Sequence, residues 1–339
     1  MLKRMNLVRL LGAALVLICG GLSVLAQSPK DSFVIYAKAG RINQASGEAR
    51  VRAAGTETSK ILTVSDELNQ GDVVTTGDNA RLEVLLSPGS YFRLANQAQF
   101  TMSGTSLEDI RVFLTEGSAV VETGGGPDEA FRIQVATPSG TTIIEKRGIY
   151  RLNVTKDRTE MLVLKGEALA RPAMVKVKGG KMLVVNGKVA EPVAKFDKKA
   201  MLDELDDWSR TRAEFLAKAN RSLDQRDLSR ALNSFGSING FSGSGRMSGY
   251  WLFSRRLGFC LFMPFDPWDW SSPYGFGYNN GGGWWPTYSN PNTAGNGNGS
   301  GTIINTPIKV PDTPIIAQPG PRSGSTSGPL SQPGPVKVQ

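Results

Sequence analysis

The 339-residue chain contains no histidine. That absence removes Ser-His-Asp and Cys-His catalysis and the common imidazole base. Cysteine is nearly absent too, with only Cys19 and Cys260, and without histidine the usual zinc sites have no ligand set. Carboxylate pairs remain for glycoside cleavage. Glu48, Asp66, Glu67, Asp72 and Glu83 are the candidates, but they fall at turns or outward-facing strand positions, where solvation is expected. Gly124-Gly125-Gly126-Pro127 lacks the Lys and Ser/Thr of a phosphate loop and reads as a turn. Asp72, Asp78 and Asn79 lack the alternating spacing of a calcium loop, so hydrogen bonding within turns is expected of them. The expectation is a protein with no catalytic residues, no metal site and no cofactor.

Net charge is also modest. The formal +9 becomes 36 Lys and Arg against 30 Asp and Glu once Lys3, Arg4 and Arg9 are set aside. The excess reads as scattered, with one small run over Lys176-Val177-Lys178-Gly179-Gly180-Lys181, which favours a solvated surface over nucleic-acid binding. The three cations set aside precede an apolar run that closes with Val24-Leu25-Ala26, the pattern of a secretory signal peptide over residues 1–26. Export to the periplasm or cell surface is expected, with membrane association only if the segment is an uncleaved anchor. Lipidation at Cys19 is disfavoured because Ile18 stands where Gly, Ala or Ser is wanted. After cleavage Cys260 would be the one cysteine, and Phe259, Leu261 and Phe262 around it favour burial.

What the chain does have is short strands and turns. From Leu68 to Leu94, turn residues at Gln70-Gly71-Asp72, Gly77-Asp78-Asn79 and Ser87-Pro88-Gly89-Ser90 separate apolar runs. Leu82, Val84 and Leu86 alternate with Arg81, Glu83 and Leu85, as in a half-buried strand. Between Phe33 and Pro192 the same punctuation predicts fifteen to eighteen strands, including an Asn186-Gly187 hairpin of type I′. Such a run without helices means a sandwich or a solenoid. Leu82, Val84, Leu86, Leu94, Val120, Ile133, Val135, Leu152, Val163 and Val184 are expected inside. Leu114-Thr-Glu-Gly117 and Leu164-Lys-Gly166 echo one another as similar strand-turn-strand units.

The segments Gly71 to Leu86, Gly89 to Leu94, Leu114 to Val121, Val135 to Gly140, Gly148 to Val154 and Val163 to Ala170 follow in order the motifs of the FecR domain. This all-β module is named for the periplasmic regulator of ferric dicitrate uptake. The resemblance covers residues 34–192, and it departs from the family at Gly148-Ile149-Tyr150-Arg151, where G-T-x-F is usual. It implies a sensing or binding scaffold. Regulators of this kind place an anti-sigma segment before a membrane helix; only nine residues precede the apolar run here, so direct transcriptional control is not expected.

Past the β-domain the period changes. Met201, Leu205, Trp208, Phe215, Ala219 and Leu223 recur at helical spacing, and the reading is one amphipathic helix over 196–224, N-capped by Asp197. A Ser/Gly-rich linker (225–248) follows, then an aromatic, Gly-rich segment (249–288) and a Gly/Pro/Ser/Asn-rich tail (289–339) whose composition predicts disorder. Trp268, Trp270, Tyr274, Trp284 and Trp285 are the candidate binding residues, since aromatic faces stack on sugars and partner side chains. The linker favours a detached recognition surface over packing on the β-domain. Two functions are compatible with this organisation. One is a non-enzymatic envelope binding or sensing module that contacts a protein or polysaccharide partner; the other is a structural surface or matrix protein.

Overall fold

The computed structural model describes residues 33–36, 38–107, 109–124, 132–223, 249–264 and 271–278, with the backbone alone at 33–36 and 250. The chain divides into two units, Met1–Gly301 and Thr302–Gln339, and every described residue lies in the first. The signal segment, the linker and the tail lie outside the described residues.

Strands dominate, as the turn punctuation predicts. In chain order they are β1 (Phe33–Tyr36), β2 (Ile42–Ser46), β3 (Ala49–Arg52), β4 (Ser59–Ile61), β5 (Val73–Thr76), β6 (Arg81–Leu85) and β7 (Tyr91–Leu94). Next come β8 (Gln99–Ser106), β9 (Asp109–Thr123), β10 (Ile133–Thr137), β11 (Gly140–Ile144), β12 (Gly148–Val154) and β13 (Arg158–Lys165). The β-domain closes with β14 (Glu167–Arg171), β15 (Val175–Lys178), β16 (Lys181–Asn186), β17 (Val189–Ala190) and β18 (Ala194–Lys195). Helices α1 (Lys198–Met201) and α2 (Glu204–Arg221) follow, then the hairpin β19 (Gly249–Ser254) and β20 (Phe259–Pro264).

Two sheets share the long strand β9. One is antiparallel in the order β2-β6-β7-β9-β12-β13-β16, with β17 and β18 both paired to β16. The other runs β4-β3-β5-β8-β9-β10-β11-β14-β15, parallel only between β9 and β10. A single buried cluster draws on both, with Leu82, Val84, Phe92, Leu152 and Val163 from the first sheet and Val74, Phe100, Ile133 and Val135 from the second. The two sheets thus face one another across a shared core, as in a sandwich, and are joined through β9. All ten side chains expected inside are buried, although Val120 sits with Leu205 on the opposite face of the first sheet.

The echo of Gly117 and Gly166 has a structural cause. β9 passes from one sheet to the other at Gly117 (φ 91°), where a Cβ would stand 2.5 Å from Ala98, and Gly166 (φ 95°) marks the crossing from β13 to β14. Both crossings need a left-handed backbone that glycine adopts without steric cost.

Three local expectations need correction. The Asn186-Gly187 turn is not type I′: Asn186 pairs with Val189, so Gly187 and Lys188 are the central residues, and only Gly187 (φ 57°) has positive φ. Asn186 stays in the ladder, paired with Arg158, which moves the turn on by one residue. The single helix is broken at Leu202 and Asp203. Asp197 caps only α1, whereas extended Asp203 accepts from the Leu205 amide and its own amide donates to Asp206, a capping box that starts α2 afresh. Lastly, the aromatic segment is not detached over its described part. β19 pairs with both β1 and β20, and fully buried Trp251, Leu261 and Phe262 pack with Leu85, Tyr91 and α2. Burying such side chains contributes roughly 1.5–3 kcal/mol each, which outweighs the freedom a Ser/Gly-rich linker would allow.

Candidate functional site

The alternation that sends Leu82, Val84, Phe92 and Leu94 into the sandwich puts Glu83, Leu85, Tyr91, Arg93, Val120, Glu122, Ile149 and Arg151 on the other face of the same sheet. That face is roofed rather than solvated. Helix α2, the β19–β20 hairpin and residues 271–278 cover it, and Glu83, Arg93 and Glu122 are 0 % exposed. The expectation that Glu83 is solvated is therefore overturned.

These charges neutralise one another. Arg93 donates from Nε to Glu83 (2.8 Å) and from Nη1 to Glu122 (2.5 Å) and to Ser209 of α2 (2.8 Å). Arg212 of α2 donates to the second Glu83 oxygen (3.0 Å), which also accepts from Asn43 Nδ2 (2.8 Å). Asn43 Oδ1 in turn accepts from the Cys260 amide at 2.7 Å. The Ser272 hydroxyl donates to Glu122, and Tyr274 donates to Ser209 at 2.9 Å. Sheet, helix and aromatic segment thus meet in one hydrogen-bonded cluster. Buried charge held this way costs desolvation, so it fixes which parts dock together more than it adds stability. A second cluster pins the start of α2, where Arg151 reaches both Asp203 oxygens (2.9 and 2.8 Å) and Asp206 (2.5 Å).

Burial pushes the Glu83 carboxyl up, but Arg212 and Arg93 outweigh it and hold the group below the usual glutamate range. Glu122 goes the other way, raised by burial that the attraction of Arg93 does not offset. The Arg151 hydrogen bond lowers Asp203, while burial raises Asp206. The stability due to Glu83 and Asp203 is complete above their ordinary values near 4 and drains as pH falls through the lower folded values. Glu122 and Asp206 carry a penalty that is relieved as they protonate. Urea midpoints are expected to be level or slightly rising from about pH 7 to about pH 5, and to fall below about pH 4, with a shallower acid limb in Glu83→Gln.

The other acidic candidates are held locally. Glu48 pairs with Arg50, Asp66 with Lys60 and Glu67 with Arg41, and Asp72 accepts from the Ala54 and Asn69 amides. Asp72, expected to be solvated, is buried because its turn folds over it. Of the aromatic binding candidates, Tyr274 is half-buried and tied to Ser209; Trp268, Trp270, Trp284 and Trp285 lie outside the described residues. Sequence reasoning missed Arg93, Glu122, Arg212 and Ser272. The available signal was Leu85, Tyr91 and Ile149, bulky apolar residues on a face read as solvated.

A two-sheet all-β scaffold with one face sealed by its own C-terminal elements is the class this fold defines. Residues 72–169, from just before β5 into β14, match the family described as FecR protein. No curated protein matches the chain. Two crystal structures of a candidate anti-sigma factor from Parabacteroides distasonis, at 2.50 and 1.65 Å resolution, are similar to it at 13% and 12% identity, each with a TM-score of 0.32. The similarity covers 42% of this chain and 64% of theirs, just under two thirds of their length.

Proposed function

We propose that the chain is a non-enzymatic binding or sensing module of the cell envelope, exported and built on the FecR scaffold. Trp268, Trp270, Trp284 and Trp285 contact a protein or glycan partner, with Tyr274 at the root of that surface. The observation that supports this reading is the roofed cluster. Its carboxylates are consumed by arginines and closed to substrate, and the same hydrogen bonds tie residues 271–278, between the two tryptophan pairs, to a rigid sheet. A recognition segment rooted in this way loses less freedom on binding than a free one.

Replacing Trp268, Trp270, Trp284 and Trp285 together with alanine tests it. Tyr274 stays, because it serves the cluster. Capture of the partner from envelope extract is expected to be lost while the melting temperature moves by less than about 3 °C. Unchanged capture would overturn the recognition role and favour a structural surface protein; a large drop in melting temperature would show that the tryptophans are packing residues.

A further inference from the structure

The chain's excess charge is concentrated. Residues 146–199 hold 14 Lys and Arg against 5 Asp and Glu, an excess of nine; the rest of the chain carries 25 of each, so this stretch accounts for the whole formal +9. The scattered distribution expected from sequence is corrected by the fold, because these residues build one lateral side of the sandwich, β12 to β18 and the start of α1. Lys178 and Lys181 flank the open Gly179-Gly180 turn, the Lys165 backbone lies against Gly179, and Lys181 stands directly opposite Lys195 on β18. Like charges facing each other across strands are destabilising.

Among the described residues most of these cations have no acidic partner. Arg151, Arg158 and Lys176 are paired, the last at 3.9 Å from Glu167, whereas Lys178, Lys181 and Lys195 are exposed and make no ion pair among the described residues. Four of the five acids offer little relief: Glu160 and Glu167 are taken, Glu191 accepts from Asn186 and Asp197 caps α1, which leaves exposed Asp157, in the turn after β12, as the one acid of the stretch whose side chain is not engaged among the described residues.

We propose that this side is a docking surface for a linear anionic polysaccharide. The inference rests on the envelope-binding reading and names a partner class for it, carried by residues other than the tryptophans. Charge complementarity sets the sign of the ligand. Shape selects a chain over a membrane plane: neighbouring strands place their lysines about 4.8 Å apart across the edge, and Lys156 and Lys188 continue the charge at the opposite strand ends, next to the Arg158–Asn186 pair. A flexible polymer can follow an edge that a flat bilayer meets at one point. Lysine rather than arginine suits it, since compact, mobile ammonium groups contact successive carboxylates without a fixed bidentate geometry.

The test is binding of the full chain to polygalacturonate, with neutral dextran and anionic phosphatidylglycerol vesicles in parallel. Binding to polygalacturonate is expected, falling steeply with added salt and weakening at least about tenfold in Lys178→Glu/Lys181→Glu/Lys195→Glu. The charge-matched variant Lys38→Glu/Arg52→Glu/Arg111→Glu, remote from this side, should bind as the parent does. Three outcomes overturn the proposal: no binding at low salt, equal loss in both triple variants, or binding to vesicles alone. Polygalacturonate binding that survives in the tryptophan variant would leave this surface standing even if the tryptophan role fails.

Discussion

Replacing Arg93 with alanine is expected to destabilise the protein by about 3–5 kcal/mol, because it strands buried carboxylates without their cation. Arg93 is the hub, bonded at once to Glu83, Glu122 and Ser209, all fully buried. Arg212 and Asn43 still serve Glu83 after the change, whereas Glu122 keeps only the Ser272 hydroxyl among the described residues, so the larger penalty falls on Glu122. The two glutamates should also rank. Glu83 is held ionised by two arginines, and Glu83→Gln breaks charge-assisted bonds on both sides. Glu122 is already biased toward its neutral form, so Glu122→Gln should cost less. Urea unfolding of the three variants measures this. An Arg93→Ala cost below about 1 kcal/mol, or a larger loss for Glu122→Gln than for Glu83→Gln, would contradict the assignment.

The second large effect is at the roof. Trp251 is fully buried, meets Tyr91 edge-on at 5.1 Å and Phe262 at 5.9 Å, and donates from Nε1 to the Leu86 carbonyl at 3.1 Å. Trp251→Ala therefore opens a cavity between hairpin and sheet and leaves a carbonyl unpaired, at an expected cost of about 3–5 kcal/mol. Trp251→Phe keeps most of the ring and loses the bond, at about 1 kcal/mol or somewhat more. Thermal and urea denaturation should show both. A near-neutral Trp251→Ala would mean that the hairpin contributes little to the fold.

The inner half of this fold is legible from local pattern. Leu82, Val84 and Leu86 alternate, glycines mark the crossings, and the ten chosen core positions are buried. The outer face is not legible in the same way, because its code is non-local. Glu83 takes its partner Arg212 from 129 residues away, and Glu122 takes Ser272 from 150. In a strand window Glu83 and Arg93 look like an ordinary solvent-facing cross-strand pair, and nothing nearby in sequence announces Arg212 or Ser272. Tyr91-Phe92-Arg93-Leu94, buried at all four positions, shows what the pattern conceals: a strand with two buried faces, one apolar and one ionic. The helix break has the same origin, since Asp203 leaves helical geometry to cap α2 and to meet Arg151 from β12. The lysine-rich side was visible as a count, but only the pairing of β16 with β18 sets Lys181 against Lys195.

The central claim is that the chain's own helix and hairpin seal the outer face of the first sheet, and Cys260 reports on it directly. The thiol is buried beneath that roof, its amide is held by Asn43, and burial pushes its pKa up to about 12. In a Cys19→Ser background Cys260 is the one thiol in the chain, and labelling by an aromatic disulfide reagent at neutral pH should proceed no faster than unfolding in native buffer. The Arg93→Ala and Trp251→Ala variants should label faster in proportion to their lost stability. Complete labelling of the unaltered roof within the mixing time, at native melting temperature, would contradict the account.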